Sequence, residues 1–239
     1  MSSASSPVVW ITGASRGIGA AVAKAFASAG ARVAVSGRNA SAVRHVAEEI
    51  RSRGGVALPF ICDVRSASSV QRAHKAIVGS LGEVQVLVNN AAITFFKSFI
   101  LTTAHEFDGL VETNLRGPFL CIQKVLPGML KRKRGTIVNI VSVSATTTFR
   151  DSSAYSASKA GLLAMSRGLR AEVRNAGVRV IDLLPGAVDT AMWPQRIRRK
   201  HGKRMMTPDE VAAALVSVYS LPDTVVAEEI VLRPRLGDL

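Results

Sequence analysis

The chain has 239 residues, 48% of them hydrophobic and 20% charged, with a formal net charge of +14. Such a composition excludes a disordered or fibrous chain and fits one globular domain over residues 1–239, and no uninterrupted apolar run approaches the ~18 residues of a membrane-spanning helix. Cys62 and Cys121 alone cannot make a disulfide scaffold, so the expectation is a cytoplasmic protein with two reduced thiols.

Residues 1–6 lack the charged and apolar regions of a signal peptide and read as a short mobile tail. The first expected strand, Val8–Thr12, runs into Thr12-Gly13-Ala14-Ser15-Arg16-Gly17-Ile18-Gly19 and then an Ala-rich helical stretch. In that turn Gly13 permits a tight exit from the strand, Gly17 lets a phosphate approach the backbone, and Gly19 lets the helix pack closely on the sheet. A second strand, Arg32–Ser36, ends in Gly37-Arg38-Asn39, where a fold selective for NAD places an acid on the ribose 2′-hydroxyl; no Asp or Glu occurs before Glu48. Arg38 can grip a 2′-phosphate and Arg16 can join it, so NADP(H) is the expected cofactor.

Further strands are expected at Val56–Ile61, Val86–Asn89, Thr136–Val141, Arg179–Leu184 and Glu229–Leu232. The basic run Lys131-Arg132-Lys133-Arg134 falls at a helix end, where cations complement the dipole and Gly135 closes the helix. Ser142 follows the fifth strand, and Tyr155 comes thirteen residues later, four before Lys159, on a helix expected from Ser152 to about Asn175. Positions i and i+4 share a helix face, so the Lys159 ammonium can lie beside the Tyr155 phenol and lower its pKa from ~10 toward working pH. Ser142 can hold a substrate oxygen while Tyr155 gives or takes its proton. Apolar and small residues on that helix, from Ala154 and Ala157 to Met165 and Leu169, spread too far around the axis for one buried stripe, so a second covered side is expected.

Strands rich in Val and Ile alternate with helices, which predicts an α/β protein: a doubly wound Rossmann fold with a seven-stranded parallel sheet and helices on both faces. Ligands then bind at the carboxyl ends of the strands.

These motifs, in this order from about Pro7 to about Leu232, resemble the short-chain dehydrogenase/reductase family, whose glycine turn has the G-x-x-x-G-x-G spacing seen here. The resemblance implies a catalytic tetrad of Asn114, Ser142, Tyr155 and Lys159. Lys159 would also bond the nicotinamide ribose, and Asn114 would hold a water that relays protons from Lys159 to solvent. It implies cofactor contacts from Gly13, Ser15, Arg16, Gly17, Ile18, Gly19 and Arg38, from Asp63 and Val64 flanking the adenine, from Asn90 on the adenosine ribose side and Ala91, and from Pro185, Gly186, Val188 and Thr190. Asp63 read alone could equally cap a helix. Asn89 would tie neighbouring strands, Ala92 stands where the family usually has Gly, the segment 187–206 would be a mobile substrate-binding loop, and a homodimer or homotetramer would form.

The expected reaction moves hydride between nicotinamide and a secondary alcohol or ketone, in a pocket of Ser142, Ser144 and Tyr155 with Ile93, Phe95, Phe149, Met192 and Trp193. Arg196, Arg198, Arg199, Lys200, Lys203 and Arg204, with no acid among them, would steer an anionic hydroxy or keto acid or an acyl thioester. The tail Glu228–Leu239 resembles the branch of 3-hydroxy-acid and serine dehydrogenases. The alternative is a protein on the same scaffold that senses NADP(H) or binds nucleic acid; the intact tetrad argues against it, and the basic runs lack the interleaved aromatics of a base-stacking platform. His45, His74, His105 and His201 have no metal-ligand spacing, and no metal is expected.

Overall fold

The structure is a computed structural model that describes residues 6–238. Residues 1–5 of the expected tail lie outside that range, whereas Ser6 is inside it and accepts a hydrogen bond from Arg32 Nε at 3.2 Å. Seven parallel strands form one sheet in the order β3-β2-β1-β4-β5-β6-β7. They are β1 (Val8–Ile11), β2 (Arg32–Gly37), β3 (Val56–Ile61), β4 (Val84–Asn89), β5 (Gly135–Ile140), β6 (Val178–Pro185) and β7 (Glu229–Leu232). The order reverses between β1 and β4, and a crevice forms beyond the carboxyl ends of strands at such a point.

Alternation along each strand divides the core in two. Val9, Ile11, Val33, Val35, Val86 and Val88 bury on the face covered by α1 (Gly17–Ser28), α2 (Ala40–Ser52) and α8 (Pro208–Tyr219). Val8, Trp10, Ala34, Leu87, Ile137 and Val180 bury on the other, under α3 (Ala67–Leu81) and α5 (Gly117–Arg132). Further along that face α6 (Ser153–Val173) sets Leu162 and Leu163 against Val141 and Leu184. The short helices α4 (Ala104–Val111) and α7 (Gln195–His201) lie in the connections after β4 and β6. Among the described residues no helix is long and apolar enough to cross a membrane.

One sequence expectation changes. Helix α5 closes on Lys133, in the left-handed region at φ 50, and not on Gly135. Gly135 instead opens β5, where a Cβ would run into Met129 Cγ and Sδ at 2.5 Å. On α6 the buried residues, among them Tyr155, Ser158, Lys159, Leu162, Leu163, Ser166 and Arg170, follow one face, and Ala157, Ala164 and Gly168 are exposed. The exposed side is the one expected to meet a partner subunit.

A buried polar chain joins α6 to three strands. Asn89 Nδ2 donates to Asn139 Oδ1 at 2.9 Å, and Asn139 Nδ2 donates to Ser166 Oγ at 3.0 Å and Asp182 Oδ1 at 3.2 Å. Ser166 Oγ donates to Asp182 Oδ1 at 2.6 Å, and Arg170 Nη2 to Asp182 Oδ2 at 2.6 Å. Asn89 thus ties β4 to β5, as its motif implies. Burial raises the Asp182 pKa, opposed by the bonds from Ser166 and Asn139 and by the charge of Arg170. Arg170→Met would leave Asp182 buried without its cation. Its unfolding free energy in urea at pH 7 should fall by ~3–5 kcal/mol, and adding Asp182→Asn should restore part of that loss.

Candidate active site

The glycine turn is braced from β4. Thr12 Oγ1 accepts from the backbone N–H groups of Asn90 and Ala91, both at 3.1 Å, and Asn90 Nδ2 donates to the carbonyl oxygens of Thr12 and Gly13, both at 3.0 Å. At Gly13, with φ +63, a Cβ would sit 2.7 Å from Ala91 Cα. At Gly19 a Cβ would collide with Asn90 Nδ2 and Gly13 O, so this glycine makes room for the Asn90 brace and not for packing on the sheet. The Asn90 amide nitrogen is correspondingly committed to the turn, while the residue also lines the cleft beside it.

Around this turn lies a cleft of about 900 Å³. Gly13, Ser15, Arg16, Gly17 and Ile18 line it from the turn, Arg38 from the end of β2, Asp63 and Val64 from the end of β3, Asn90 and Ala91 from the end of β4, and Thr190 from the loop after β6. Gly17 has φ +57, and its missing Cβ leaves room beside Thr190 Cγ2. Arg16 and Arg38 are exposed, and among the described residues neither forms an ion pair with a carboxylate. Of the other expected cofactor residues, Gly19, Tyr155, Lys159, Pro185, Gly186 and Val188 are not among those that line it. Gly186 instead faces the C-terminal tail: a Cβ there would lie 3.1 Å from Pro234 Cδ. Arg233 Nη2 of that tail donates to Thr147 Oγ1 at 2.9 Å, which brings it over the turn after Ser142.

Sequence reasoning missed Arg65. Its guanidinium clasps Asp63, with Nε to Oδ1 at 3.0 Å and Nη2 to Oδ2 at 2.7 Å, and it lines the cleft. Bonding from Arg65, with a smaller contribution from the charge of Arg38, holds the Asp63 carboxyl below the usual range against the effect of burial. Asp63 does not cap α3; Ser66 does, accepting from Ser69 N at 3.2 Å. The signal for Arg65 was its position two residues after Asp63, still at the carboxyl edge of the sheet.

At the inner end Ile93 lines the cleft and, with Phe95, packs against Leu110, Ala154 and Tyr155. Ser142, just beyond β5, and Tyr155 are each 8% exposed and Lys159 is 2% exposed. The Lys159 Nζ lies 5.9 Å from the centroid of the Tyr155 ring and donates to Ile140 O at 2.8 Å. Ser142 Oγ accepts from Ser144 N at 3.1 Å. The expected lowering of the Tyr155 pKa is overturned: burial pushes the phenol up to about 12, with the Ser142 hydroxyl bond pulling it back. Burial also brings the Lys159 ammonium from 10.5 down to about 7. Desolvation is the largest cause of both shifts.

Asn114 lies in a wide helical turn, Glu112–Arg116, between α4 and α5. Its Oδ1 accepts from Ile93 N at 2.9 Å, and its Nδ2 donates to Ile93 O at 2.9 Å and Ser158 Oγ at 3.0 Å. Ser158 Oγ in turn donates to Tyr155 O at 2.7 Å. Both amide protons are therefore engaged with protein. Asn114 pins the segment after β4 to α6.

The loop 187–206 is pinched at its neck, where Val188 pairs with Met206. Within it Arg198 Nε donates to Asp189 Oδ1 at 2.5 Å, so one of the six cations has an acid partner that lies outside the basic run. Across the mouth Phe96, which sequence reasoning also missed, stacks on Trp193 with ring centroids 5.1 Å apart. Met192 lines the cleft, and Phe149 is half-buried beside α6 with its carbonyl accepting from Ser152 Oγ at 2.8 Å.

A family model described as short chain dehydrogenase matches residues 7–201. A sepiapterin reductase from Chlorobaculum tepidum is 35% identical over 239 residues, covering 97% of this chain and 98% of the relative. A D-threitol dehydrogenase from Mycolicibacterium smegmatis is 36% identical, covering 89% of this chain and 85% of the relative. Among solved structures, a metagenomic short-chain oxidoreductase in complex with NADP superposes with a TM-score of 0.84 at 32% identity, over 97% of this chain and 98% of that one.

The depressed pKa of Lys159 has a thermodynamic consequence. Between pH 7 and 10.5 the unfolded chain binds more of this proton than the folded one, so stability at this position rises with pH across that window. The cost of burying the ammonium is full below about pH 7 and gone above 10.5. Lys159→Met should therefore gain most in denaturation midpoint relative to the parent at pH 6.5 to 7, and the difference should shrink by pH 10.5. A difference that does not vary with pH would refute the assigned shift.

Proposed function

This chain belongs to the short-chain dehydrogenase family, and from that premise we propose that it is an NADP(H)-dependent oxidoreductase acting on a secondary alcohol or its ketone. The observation that carries the proposal is that Tyr155 sits beside Ser142, 5.9 Å from Lys159 Nζ at its ring centroid, and packs against Ile93, which lines a cleft that also presents Arg16 and Arg38. The cleft fits the coenzyme. Gly17, with φ +57, leaves backbone open for a diphosphate, and two guanidiniums without carboxylate partners suit a 2′-phosphate. The NADP held by the metagenomic relative supports the same choice.

Bound NADPH would supply the hydride that reduces the carbonyl carbon. For the chain's own part, the Ser142 hydroxyl donates to the substrate oxygen and Tyr155 transfers its phenolic proton to that oxygen, giving the alcohol. Lys159, beside the ring, stabilises the phenolate that remains and would also hold the ribose. Asn114 acts as a positioning residue, keeping Ile93 and the first turn of α6 together.

The names of the two relatives support a carbonyl or alcohol substrate. For this chain, Arg196, Arg199, Lys200, Lys203 and Arg204 on α7 and the turn after it supply positive charge beside the mouth, which supports an anionic hydroxy or keto acid or an acyl thioester. Segment 187–206 would close over it. The exposed small residues of α6, with Phe119 of α5 43% exposed, support a homodimer or homotetramer.

Two measurements test this reading. Tyr155→Phe keeps the ring but removes the proton, so turnover of NADPH against a panel of keto acids, acyl thioesters, diketones and sugars should fall ~10²–10⁴-fold while NADPH binding persists. Undiminished turnover would sink the mechanism. Arg38→Asp removes one charge-assisted contact and adds repulsion, so fluorescence titration should show NADPH affinity reduced by about 2–3 kcal/mol and NADH affinity nearly unchanged. A parent that prefers NADH would overturn the cofactor assignment.

A further inference from the structure

A second concavity, of about 380 Å³, opens at the opposite end of the sheet, where β4, β5 and β6 begin. Five cations and two carboxylates line it: Lys133 and Arg134 after α5, Arg170 and Arg174 at the end of α6, and Arg179 on β6, against Asp223 and Glu228. Arg170 is committed to Asp182, and Arg174 Nη2 donates to Glu228 Oε1 at 2.5 Å. Arg134 comes only within 3.6 Å of Asp223, with both side chains more than three-quarters exposed.

Arg179 differs from these, because it is held in place by neutral groups. Its Nε donates to Thr136 Oγ1 at 3.2 Å, and its guanidinium carbon lies 5.2 Å from the centroid of the Tyr219 ring. Tyr219 is itself fixed edge-on against the buried Phe26, with centroids 5.2 Å apart. Among the described residues no carboxylate pairs with Arg179 or with Lys133. The Lys133 backbone is pinned as well: a Cβ on Gly177, where φ is +74, would collide with the Lys133 carbonyl. Two cations without acid partners, one of them immobilised on an aromatic ring, thus face one concavity with Arg134 at its rim.

We propose that this concavity is a second anion site, separate from the coenzyme cleft, that takes a small molecule bearing a diphosphate group. An anion with several oxygens in different directions is what three cations converging from α5, β6 and the rim can bond at once. A volume of about 380 Å³ suits a small ligand and falls well short of the coenzyme cleft at about 900 Å³. Lys133 and Arg134 lie beyond the last residue of α5 and face a recess, so they do more than complement the helix dipole.

The test is thermal unfolding of the full chain at constant ionic strength, with inorganic pyrophosphate as the probe and NADPH saturating the coenzyme cleft. Ligand bound only by the folded state raises the midpoint saturably. The parent should respond, and Arg179→Gln and Lys133→Gln should each need roughly tenfold more pyrophosphate for the same shift. Arg179→Lys should keep part of the response, and the exposed Lys133 position serves if Arg179→Gln fails to fold. Arg38→Gln should respond like the parent. The proposal is overturned by no saturable shift, by a shift that sodium chloride reproduces, or by a response that follows Arg38 and not Arg179. It is also overturned if duplex DNA is retained by the parent and released by Lys133→Gln while pyrophosphate has no effect.

Discussion

The buried charge of Asp182 is the constraint on which the catalytic geometry rests. A carboxylate taken out of water in the middle of β6 is tolerable only with its cation and hydrogen-bond donors in place, and those come from α6 and β5. Arg170 and Ser166 on α6 must reach Asp182, and this sets the rotation and height of that helix against the sheet. Tyr155 and Lys159 ride on the same helix two to four turns earlier, so their approach to Ser142 inherits that register. Asn114 adds a second fastening at the other end of α6 through Ser158. The helix is therefore held by polar bonds at both ends and by Leu162 and Leu163 between them.

The site combines two electrostatic regimes. At its outer end Arg16 and Arg38 stand in water, where a guanidinium keeps its charge at little cost and can exchange water for a phosphate. Behind Ile93, Tyr155 and Lys159 are buried, and low polarity drives both toward their neutral forms.

Much of this was legible in the chain itself. The strands were readable because a sheet covered on both faces writes nearly continuous Val and Ile runs, and β3 and β7 match their expected limits residue for residue. The glycine turn and the Tyr155, Lys159 pair were readable because their meaning lies in local spacing. At Lys133 the reading failed: a lysine took the left-handed position expected of a glycine, because Gly135 was needed against Met129.

Sequence by itself determined the order of elements and the glycine turn that lines the cleft, since each depends on periodicity or on residues a few positions apart. Tertiary structure alone decided what the side chains experience. It closed Arg65 on Asp63, turned Asn90 into a brace for the glycine turn, gave Arg198 its partner Asp189 and laid Arg179 over Tyr219, forty residues away. It also reversed the expected shift at Tyr155. Spacing shows which charge lies beside the phenol, but only packing shows how much water has been removed from both, and in this fold the loss of water is the larger effect.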